Sequence, residues 1–184
     1  MTDLSNKALS VYNKVYPFFI KNPQNLKILL HLIQKKNKKS KRISLRLLDW
    51  FVITYAKQNQ DLRIPIEDSN DLIYQEYYNE LNTYSKKLFD PFCRHTRIYF
   101  HYYVREKGNI KKKQSIETTI AQLNFVKWSI EKRIFHYIFF HRKRLQKLMN
   151  DYDKAKKFNN KKLQNKLLNN KKKSQNNLSN EKNK

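Results

Sequence analysis

The sequence predicts a mainly α-helical protein with at most a small β-hairpin or short sheet. Three observations lead to this fold class. Residues 115–153 contain neither Gly nor Pro and repeat their apolar side chains at helical spacing. The whole chain of 184 residues has one Gly and four Pro, so few positions interrupt a helix. The clearest alternation of apolar and polar side chains, typical of a half-buried strand, lies in residues 97–105.

The long apolar repeat predicts a central helix over about residues 118–150. Its apolar side chains fall into two stripes on nearly opposite sides of the helix. One stripe consists of Leu123, Val126, Ile130, Ile134, Tyr137, Ile138, Leu145 and Leu148, and the other of Phe125, Trp128, Phe135 and Phe139. A helix that is apolar on two sides is usually buried between partners, so we expect this helix to lie at the centre of the fold.

Shorter helices are predicted to pack around the central one, over about residues 23–35, 44–58 and 70–88. Asn22 followed by Pro23 is typical of an N-cap and a first-turn proline. Ser44 is expected to cap the next helix in the same way. Residues 1–21 are expected to form a short helix that ends near Pro17, because proline lacks a backbone donor.

The alternating stretch predicts one strand with two different faces. The core face consists of Ile98, Phe100, Tyr102 and Val104, and the other face of Arg97, Tyr99, His101, Tyr103 and Arg105. Two partners for this strand stay open. Residues 114–118 would pair with it in a hairpin, across a turn that contains Gly108, and a segment near Ile64 is the alternative.

Composition divides the chain into three parts. Residues 1–42 contain N-terminal helices and a basic linker at 35–42, and residues 43–153 form an α-rich core domain. Residues 154–184 are dominated by Lys and Asn and are predicted to be disordered or a fraying helical extension. No apolar run approaches the roughly 20 residues that a membrane span needs, and no signal peptide is recognised.

The chain is strongly basic, with 40 Lys and Arg against 15 Asp and Glu and a net charge of +25. Such a charge favours an anionic partner, such as nucleic acid, an anionic membrane or an acidic protein. A second explanation stays open. Lys, Asn, Ile, Phe and Tyr are specified by A/T-rich codons, so a biased genome could enrich lysine without any ligand.

The sequence contains no recognisable catalytic motif. A single Gly excludes the glycine-rich loops that bind nucleotides. Cys93, followed by Arg94 and His95, is the one cysteine, so it can form neither an internal disulfide nor a usual structural zinc site. We interpret Cys93 as a packing residue in a protein of a reducing compartment. The sequence therefore predicts a non-enzymatic protein without metal or cofactor.

The polar face of the strand is the first candidate site. It alternates cations with aromatic rings, and single-stranded nucleic acids bind through such combinations of ring stacking and phosphate neutralisation. The cluster Lys111, Lys112 and Lys113 is expected just beyond the strand end. The competing interpretation is that tyrosine simply favours strands and that these residues pack against a second layer.

A second basic group consists of Arg142, Lys143 and Arg144, late in the central helix. Cations near a helix C-terminus complement the helix dipole, which is a purely structural explanation. Together with the lysine-rich tail they also form a cationic arm suited to phosphate. The two explanations are compatible.

Three segments together resemble a known family: ISLRLLDWFVITYAKQ (43–58), YSKKLFDPFCR with RIYF (84–100) and TTIAQLNFVKWSIE (118–131). They resemble an uncharacterised protein family of the nucleocytoplasmic large DNA viruses, or giant viruses, over roughly residues 43–150. The resemblance implies a viral protein located in the host cytoplasm, at the virus factory, or in the virion. It implies no catalytic residue, because no activity is assigned to that family.

These observations predict a basic viral protein that binds DNA or RNA largely through charge, with little sequence specificity. The alternative is a structural or assembly component of the virion that acts through contacts with other viral proteins.

Overall fold

The computed structural model describes residues 4–34, 43–59, 62, 64, 72–105 and 111–181. The predicted fold class is confirmed: the described chain is mainly helical and contains one two-stranded antiparallel hairpin. The helices are α1 (Asn6–Ile20), α2 (Pro23–Ile33), α3 (Leu45–Trp50), a π-helical segment (Phe51–Tyr55), α4 (Ala56–Gln58), α5 (Ile73–Tyr84), α6 (Lys86–Phe89), α7 (Ile120–Glu131) and α8 (Ile134–Glu181). The strands are β1 (Ile98–Arg105) and β2 (Lys111–Thr118).

Two helix starts follow the predicted capping chemistry. Oδ1 of Asn22 accepts the N–H groups of Gln24 at 2.9 Å and Asn25 at 3.3 Å, and Pro23 occupies the first turn of α2. Oγ of Ser44 accepts the N–H of Leu47 at 3.0 Å. These side chains satisfy backbone donors that a helix N-terminus leaves without intrahelical partners.

The prediction that Pro17 ends the first helix is wrong. Helix α1 continues to Ile20 with Pro17 inside it, and the N–H of Lys21 still donates to the Pro17 carbonyl at 2.9 Å. The bond that proline removes would join its nitrogen to the carbonyl of Asn13, and Asn13 is exposed, so water can satisfy that carbonyl. Beyond it, burial of Phe19 stabilises the last turn.

The predicted central helix is divided at Lys132 and Arg133 into α7 and α8. Arg133 has φ of 53°, in the left-handed region, and its N–H donates to the Ile130 carbonyl at 3.0 Å. This conformation costs a non-glycine residue roughly 1–2 kcal/mol. Burial of Ile134 immediately after the break offsets that cost, and Nζ of Lys132 pairs with Oε2 of Glu76 on α5 at 2.6 Å.

Helix α7 has the central position expected for the apolar repeat. It contacts α1, α2 and α6, and most of its residues are buried. Four rings form an aromatic core cluster around it, with centroids 5.5–6.2 Å apart: Tyr77, Phe89, Phe125 and Trp128. The fold is therefore organised around one short buried helix rather than one long helix.

The hairpin alternative is confirmed for the strand. β1 pairs antiparallel with β2, from Ile98 opposite Thr118 to Arg105 opposite Lys111. Because β2 begins at Lys111, the lysine cluster lies within the sheet, whereas it was predicted beyond the strand end; the turn with Gly108 is outside the described residues.

The inner face of the hairpin packs on α1. The Phe100 ring lies 5.3 Å from that of Tyr16 and 6.1 Å from that of Phe19. The buried Tyr102 hydroxyl accepts a hydrogen bond from Nε2 of Gln34 and donates one to Oε1 of Gln114, both at 3.0 Å. A two-stranded hairpin is marginal in water by itself, so this packing is what stabilises it.

The chain divides into two compact units, Met1–Arg142 and Lys143–Lys184. Within the second unit, α8 continues to Glu181, and every side chain from Lys154 to Gln164 is exposed. The predicted domain boundaries at residues 42 and 153 stay predictions, and the basic linker 35–42 is outside the described residues. In the part of the chain that the structure describes, no helix has both the length and the apolarity needed to cross a membrane.

Candidate nucleic-acid interface

The outer face of β1 presents three consecutive outward side chains that carry rings, Tyr99, His101 and Tyr103. Tyr99 is 66% exposed and Tyr103 is 56% exposed. Residues two apart on one strand face lie roughly 7 Å apart, so the three rings form a row roughly 13 Å long. The exposure of the tyrosines excludes the interpretation that a second layer formed by the described residues covers them.

β2 places its own side chains beside this row. Glu117 lies opposite Tyr99, Ser115 opposite His101 and Lys113 opposite Tyr103. One step further, Arg105 lies opposite Lys111, although the side chains of both are outside the described set. The charge along the outer face therefore changes from the acidic Glu117 near the start of β1 to the basic Lys113 near its end. We call this surface, formed by the ring row with Lys113, Ser115 and Glu117, the outer hairpin face.

Arg97 precedes the row and is held by an ion pair. Its Nη1 lies 3.0 Å from Oε2 of Glu117. Both side chains are largely exposed, so the pair contributes little to stability. Its effect on the surface is to neutralise the Glu117 carboxylate, which would otherwise repel a phosphate beside Tyr99.

The structure brings some predicted site residues together and separates others. Lys112 lies opposite Val104, on the other side of the sheet from the ring row, and is exposed. Arg142 is half-buried at the end of the first unit, and Lys143 and Arg144 are exposed in the second. The contact of all these residues with nucleic acid stays a prediction.

The carboxyl of Asp49, whose Oδ1 is buried, lies near Tyr77 of the aromatic core cluster. Burial, reinforced by the nearby Asp90 carboxylate, raises the pKa of Asp49 to about 7. Among the described residues, Oδ1 of Asp49 has no hydrogen-bond donor within reach. Burial, together with these two carboxyls, also raises the pKa of the Tyr77 hydroxyl. The charge of the Asp49 carboxyl in the folded protein therefore changes near neutral pH.

Cys93, singled out with its neighbours in the sequence, is half-buried and carries a free thiol. Among the described residues, no three His, Cys, Asp or Glu side chains are grouped as a metal site requires. Arg94 and His95 are exposed and lie with Cys93 in the segment that joins α6 to β1.

Comparison with known proteins assigns the chain to a family. A family model described as a family of unknown function, DUF7197, matches residues 3–184. The chain belongs to this family. The prediction of an uncharacterised giant-virus family is thereby supported, and the match includes the N-terminal helices and the tail, which lay outside the predicted range of 43–150.

One relative of this DUF7197 protein is the "Uncharacterized protein L507" of Acanthamoeba polyphaga mimivirus. The two are 32% identical over 154 residues, which is 82% of this chain and 57% of the relative. The chain thus spans little more than half the length of the mimivirus protein. No solved structure matches the chain. The giant-virus resemblance is confirmed by this relative.

Proposed function

We propose that this DUF7197 protein is a non-enzymatic binder of single-stranded DNA or RNA, with little sequence preference. The observation that carries the proposal is the exposure of Tyr99 and Tyr103 in a row on one strand, beside Lys113. Rings that are exposed to this extent bury less than half of their surface within the described chain. A ligand with flat aromatic faces would give them a favourable partner.

The chemistry of the row fits unpaired bases. Base–ring stacking contributes about 1–3 kcal/mol per base, and every base has a face that can stack, so such binding is tolerant of sequence. In a duplex the bases are already stacked on one another and are not free to stack on Tyr99 or Tyr103. The outer hairpin face therefore favours single strands.

The net charge of +25 supplies the second part of the interaction. Lysines near phosphates release condensed counterions, which strengthens binding at low salt without reading sequence. Lys113 lies beside the ring row, and the exposed lysines of α8, such as Lys154, Lys157 and Lys161, extend the cationic surface of the second unit. Lysine–phosphate contacts depend on salt, and ring stacking does not. The proposal therefore predicts that one part of the binding free energy varies with salt and another part stays constant.

The family membership supports a viral setting for this activity. A single-strand binder of a giant virus would act at the virus factory in the host cytoplasm or be packaged in the virion with the genome. We propose these two locations together, because the charge and the ring row serve either one.

A second candidate function is assembly with other viral proteins, and one observation favours it. Phe139 and Phe140 on α8 are 60% and 79% exposed. Adjacent exposed phenylalanines are typical of surfaces that a partner covers. Stable co-purification with virion proteins that is lost in the double variant Phe139→Ser/Phe140→Ser would support this function over the first.

The test of the leading proposal is fluorescence anisotropy with a labelled single strand and its duplex, each over a salt series. We expect the single strand to bind more tightly, with log Kd rising linearly with log salt. Lys113→Ala should reduce the single-strand slope by about 0.7 if it contacts one phosphate. Lys14→Ala, which removes an exposed lysine from α1, is the matched control and should leave the slope unchanged. Absence of binding at 50 mM salt would contradict the proposal.

A further inference from the structure

A cavity of about 300 Å³ lies at the base of the hairpin. One side of it is the segment between α6 and β1, and the other is the first turn of α7. The residues that line it are Pro91, Phe92, Cys93, Arg94, His95 and Arg97, with Thr119 and Gln122. We call it the base pocket. Its volume is at the lower end of the range of ligand pockets, about 300–1,000 Å³, so it suits a small group.

The lining of the base pocket is basic. Arg94, His95 and Arg97 converge on it, and none of the eight described residues that line it carries a carboxylate. Guanidinium groups bind phosphate through two parallel hydrogen bonds, which gives both energy and orientation. The ion pair with Glu117 involves Nη1 of Arg97 and leaves other donors of that guanidinium for a ligand.

The frame of the pocket is fixed by hydrogen bonds of Gln122. Its Nε2 donates to the Pro91 carbonyl at 3.2 Å, which ties the α6–β1 segment to α7. Its backbone N–H donates to Oγ1 of Thr119 at 3.1 Å, and its Oε1 accepts from Thr118 at 2.9 Å. Oδ1 of Asp90 accepts the N–H of Phe92 at 2.9 Å. The start of the segment that carries Arg94 and His95 is therefore anchored before any ligand arrives.

The position of the pocket relates it to the ring row. Arg97 lines the pocket and stands two residues before Tyr99, the first ring of the row. A strand whose terminal base stacks on Tyr99 would therefore have its end near the pocket. A terminal phosphate carries a charge of about −1.5 to −2 at neutral pH, against −1 for a phosphate within the strand, so it gains more from a group of cations.

We infer that the base pocket binds the terminal phosphomonoester of a nucleic-acid strand. The inference rests on the proposed function, since the row positions the strand that the pocket then holds by its end. Arg94 supplies the main charge, while Arg97, whose charge is paired with Glu117, and His95 supply further donors. Pro91 and Phe92 form the apolar part of the lining.

The test compares one short labelled oligonucleotide in three forms: without a terminal phosphate, with a 5′-phosphate and with a 3′-phosphate. The full-length protein should bind one of the phosphorylated forms about tenfold more tightly than the unphosphorylated form. Tenfold corresponds to one net hydrogen bond between charged groups. The preferred form identifies which strand end enters the pocket. Equal affinity for all three forms would overturn the inference and leave the proposed function standing.

Variants of Arg94 test whether the preference for a terminal phosphate arises in the base pocket. Arg94→Ala should abolish the phosphate preference while it leaves binding of the unphosphorylated strand within about twofold. Arg94→Lys should keep part of the preference, because it keeps the charge and loses the fork of donors. Lys14→Ala, with the same loss of charge on α1, should keep all of it. A preference that survives in folded Arg94→Ala would overturn the inference.

A second probe separates the pocket from the ring row. Inorganic phosphate is titrated into the ¹⁵N-labelled protein, with the amide resonances of residues 92–97 and Thr119 as the readout. Changes confined to these resonances would support a phosphate site in the pocket, whereas absence of oligonucleotide binding would contradict both the proposed function and the assignment of a nucleic-acid strand to the pocket. Uniform small changes over all lysine-rich segments would show nonspecific ion binding and would overturn the inference.

Discussion

The aromatic core cluster and the outer hairpin face are built from similar rings in opposite surroundings. In the cluster, Phe89 and Phe125 are fully buried, and each lies within 6.2 Å of the Tyr77 and Trp128 rings. On the hairpin, Tyr99 and Tyr103 leave more than half of their surface exposed. Rings of the first kind stabilise the fold through burial and ring contacts. Rings of the second kind contribute little to it, and the function proposed above gives them an external ligand.

The same contrast exists within the single strand β1, so it does not come from a difference between a helix and a strand. Phe100 and Tyr102 are buried on the inner face, and their neighbours Tyr99 and Tyr103 are exposed on the outer one. Strand propensity favours all four residues equally. Propensity therefore explains why the segment is a strand, and it is the competing explanation for tyrosine on the solvent side.

Removal of a ring from the aromatic core cluster should have the largest effect on the free energy of unfolding. Phe125→Ala is expected to lower the free energy of unfolding by about 3–5 kcal/mol, because it leaves a cavity beside α7. Tyr103→Ala should change it by less than about 0.5 kcal/mol, as an exposed substitution does. Urea titrations followed by circular dichroism measure both. Similar losses in the two variants would show that the contrast between the two regions is false.

The core cluster should also make stability depend on pH through Asp49. The pKa of this carboxyl is 3.8 as a reference and about 7 in the folded protein, so between these values the folded state holds a proton that the unfolded state has lost. Stability from this group is therefore present below about pH 4 and is lost as pH rises to about 7. The maximum slope is about 1.4 kcal/mol per pH unit.

Asp49→Asn should flatten that dependence, and urea titrations at pH 5 and pH 8 measure it. The difference between variant and parent isolates the carboxyl, because all other charges are common to both. Asp151→Asn on the exposed part of α8 is the matched control and should follow the parent. A parent protein whose stability rises from pH 5 to pH 8 by more than that of Asp49→Asn would contradict the assignment. The outer hairpin face should contribute nothing to this difference.

The smallest effect on stability is expected from the tail. Deletion of residues 154–184 should leave Tm nearly unchanged, because the side chains from Lys154 to Gln164 are all exposed. It should weaken binding to nucleic acid and reduce the salt slope, since it removes lysines. Differential scanning calorimetry and the anisotropy assay give the two readouts. A truncated chain that fails to fold would show that the tail is part of the structure that the core cluster stabilises.

Local chemistry made part of the fold predictable. Asn22 and Ser44 cap helices through side chains two or three residues from the amides that they satisfy, so the sequence contains the whole interaction. The end of α1 and the break at Arg133 depend instead on what lies next to them in space. Phe19 is buried beyond Pro17, and Lys132 pairs with Glu76, more than fifty residues away. Neither the burial of Phe19 nor the pairing of Lys132 with Glu76 can be recognised from the neighbouring sequence.

The candidate site was predictable to the same extent. Side chains alternate between the two faces of a strand, and this follows from strand geometry alone. The alternating pattern of β1 therefore predicted that Tyr99, His101 and Tyr103 share one face. Whether that face is covered depends on the rest of the fold, and the choice between packing and exposure therefore needed the structure. The base pocket could not be predicted from the sequence, because Arg94 lies near Thr119 and Gln122 only when α7 packs beside the α6–β1 segment.

The central claim is that the outer rings serve a ligand while the core rings serve the fold, and one measurement tests it directly. Single-strand affinity is compared by anisotropy for the parent, Tyr99→Phe/Tyr103→Phe and Tyr99→Ala/Tyr103→Ala, over one salt series, after circular dichroism confirms that each variant folds. We predict that the Phe variant binds nearly as the parent does, because it keeps both rings. The Ala variant should lose about 1–3 kcal/mol per ring while its salt slope stays the same. Equal affinity of the folded Ala variant and the parent would contradict the account and would assign binding to the lysines alone.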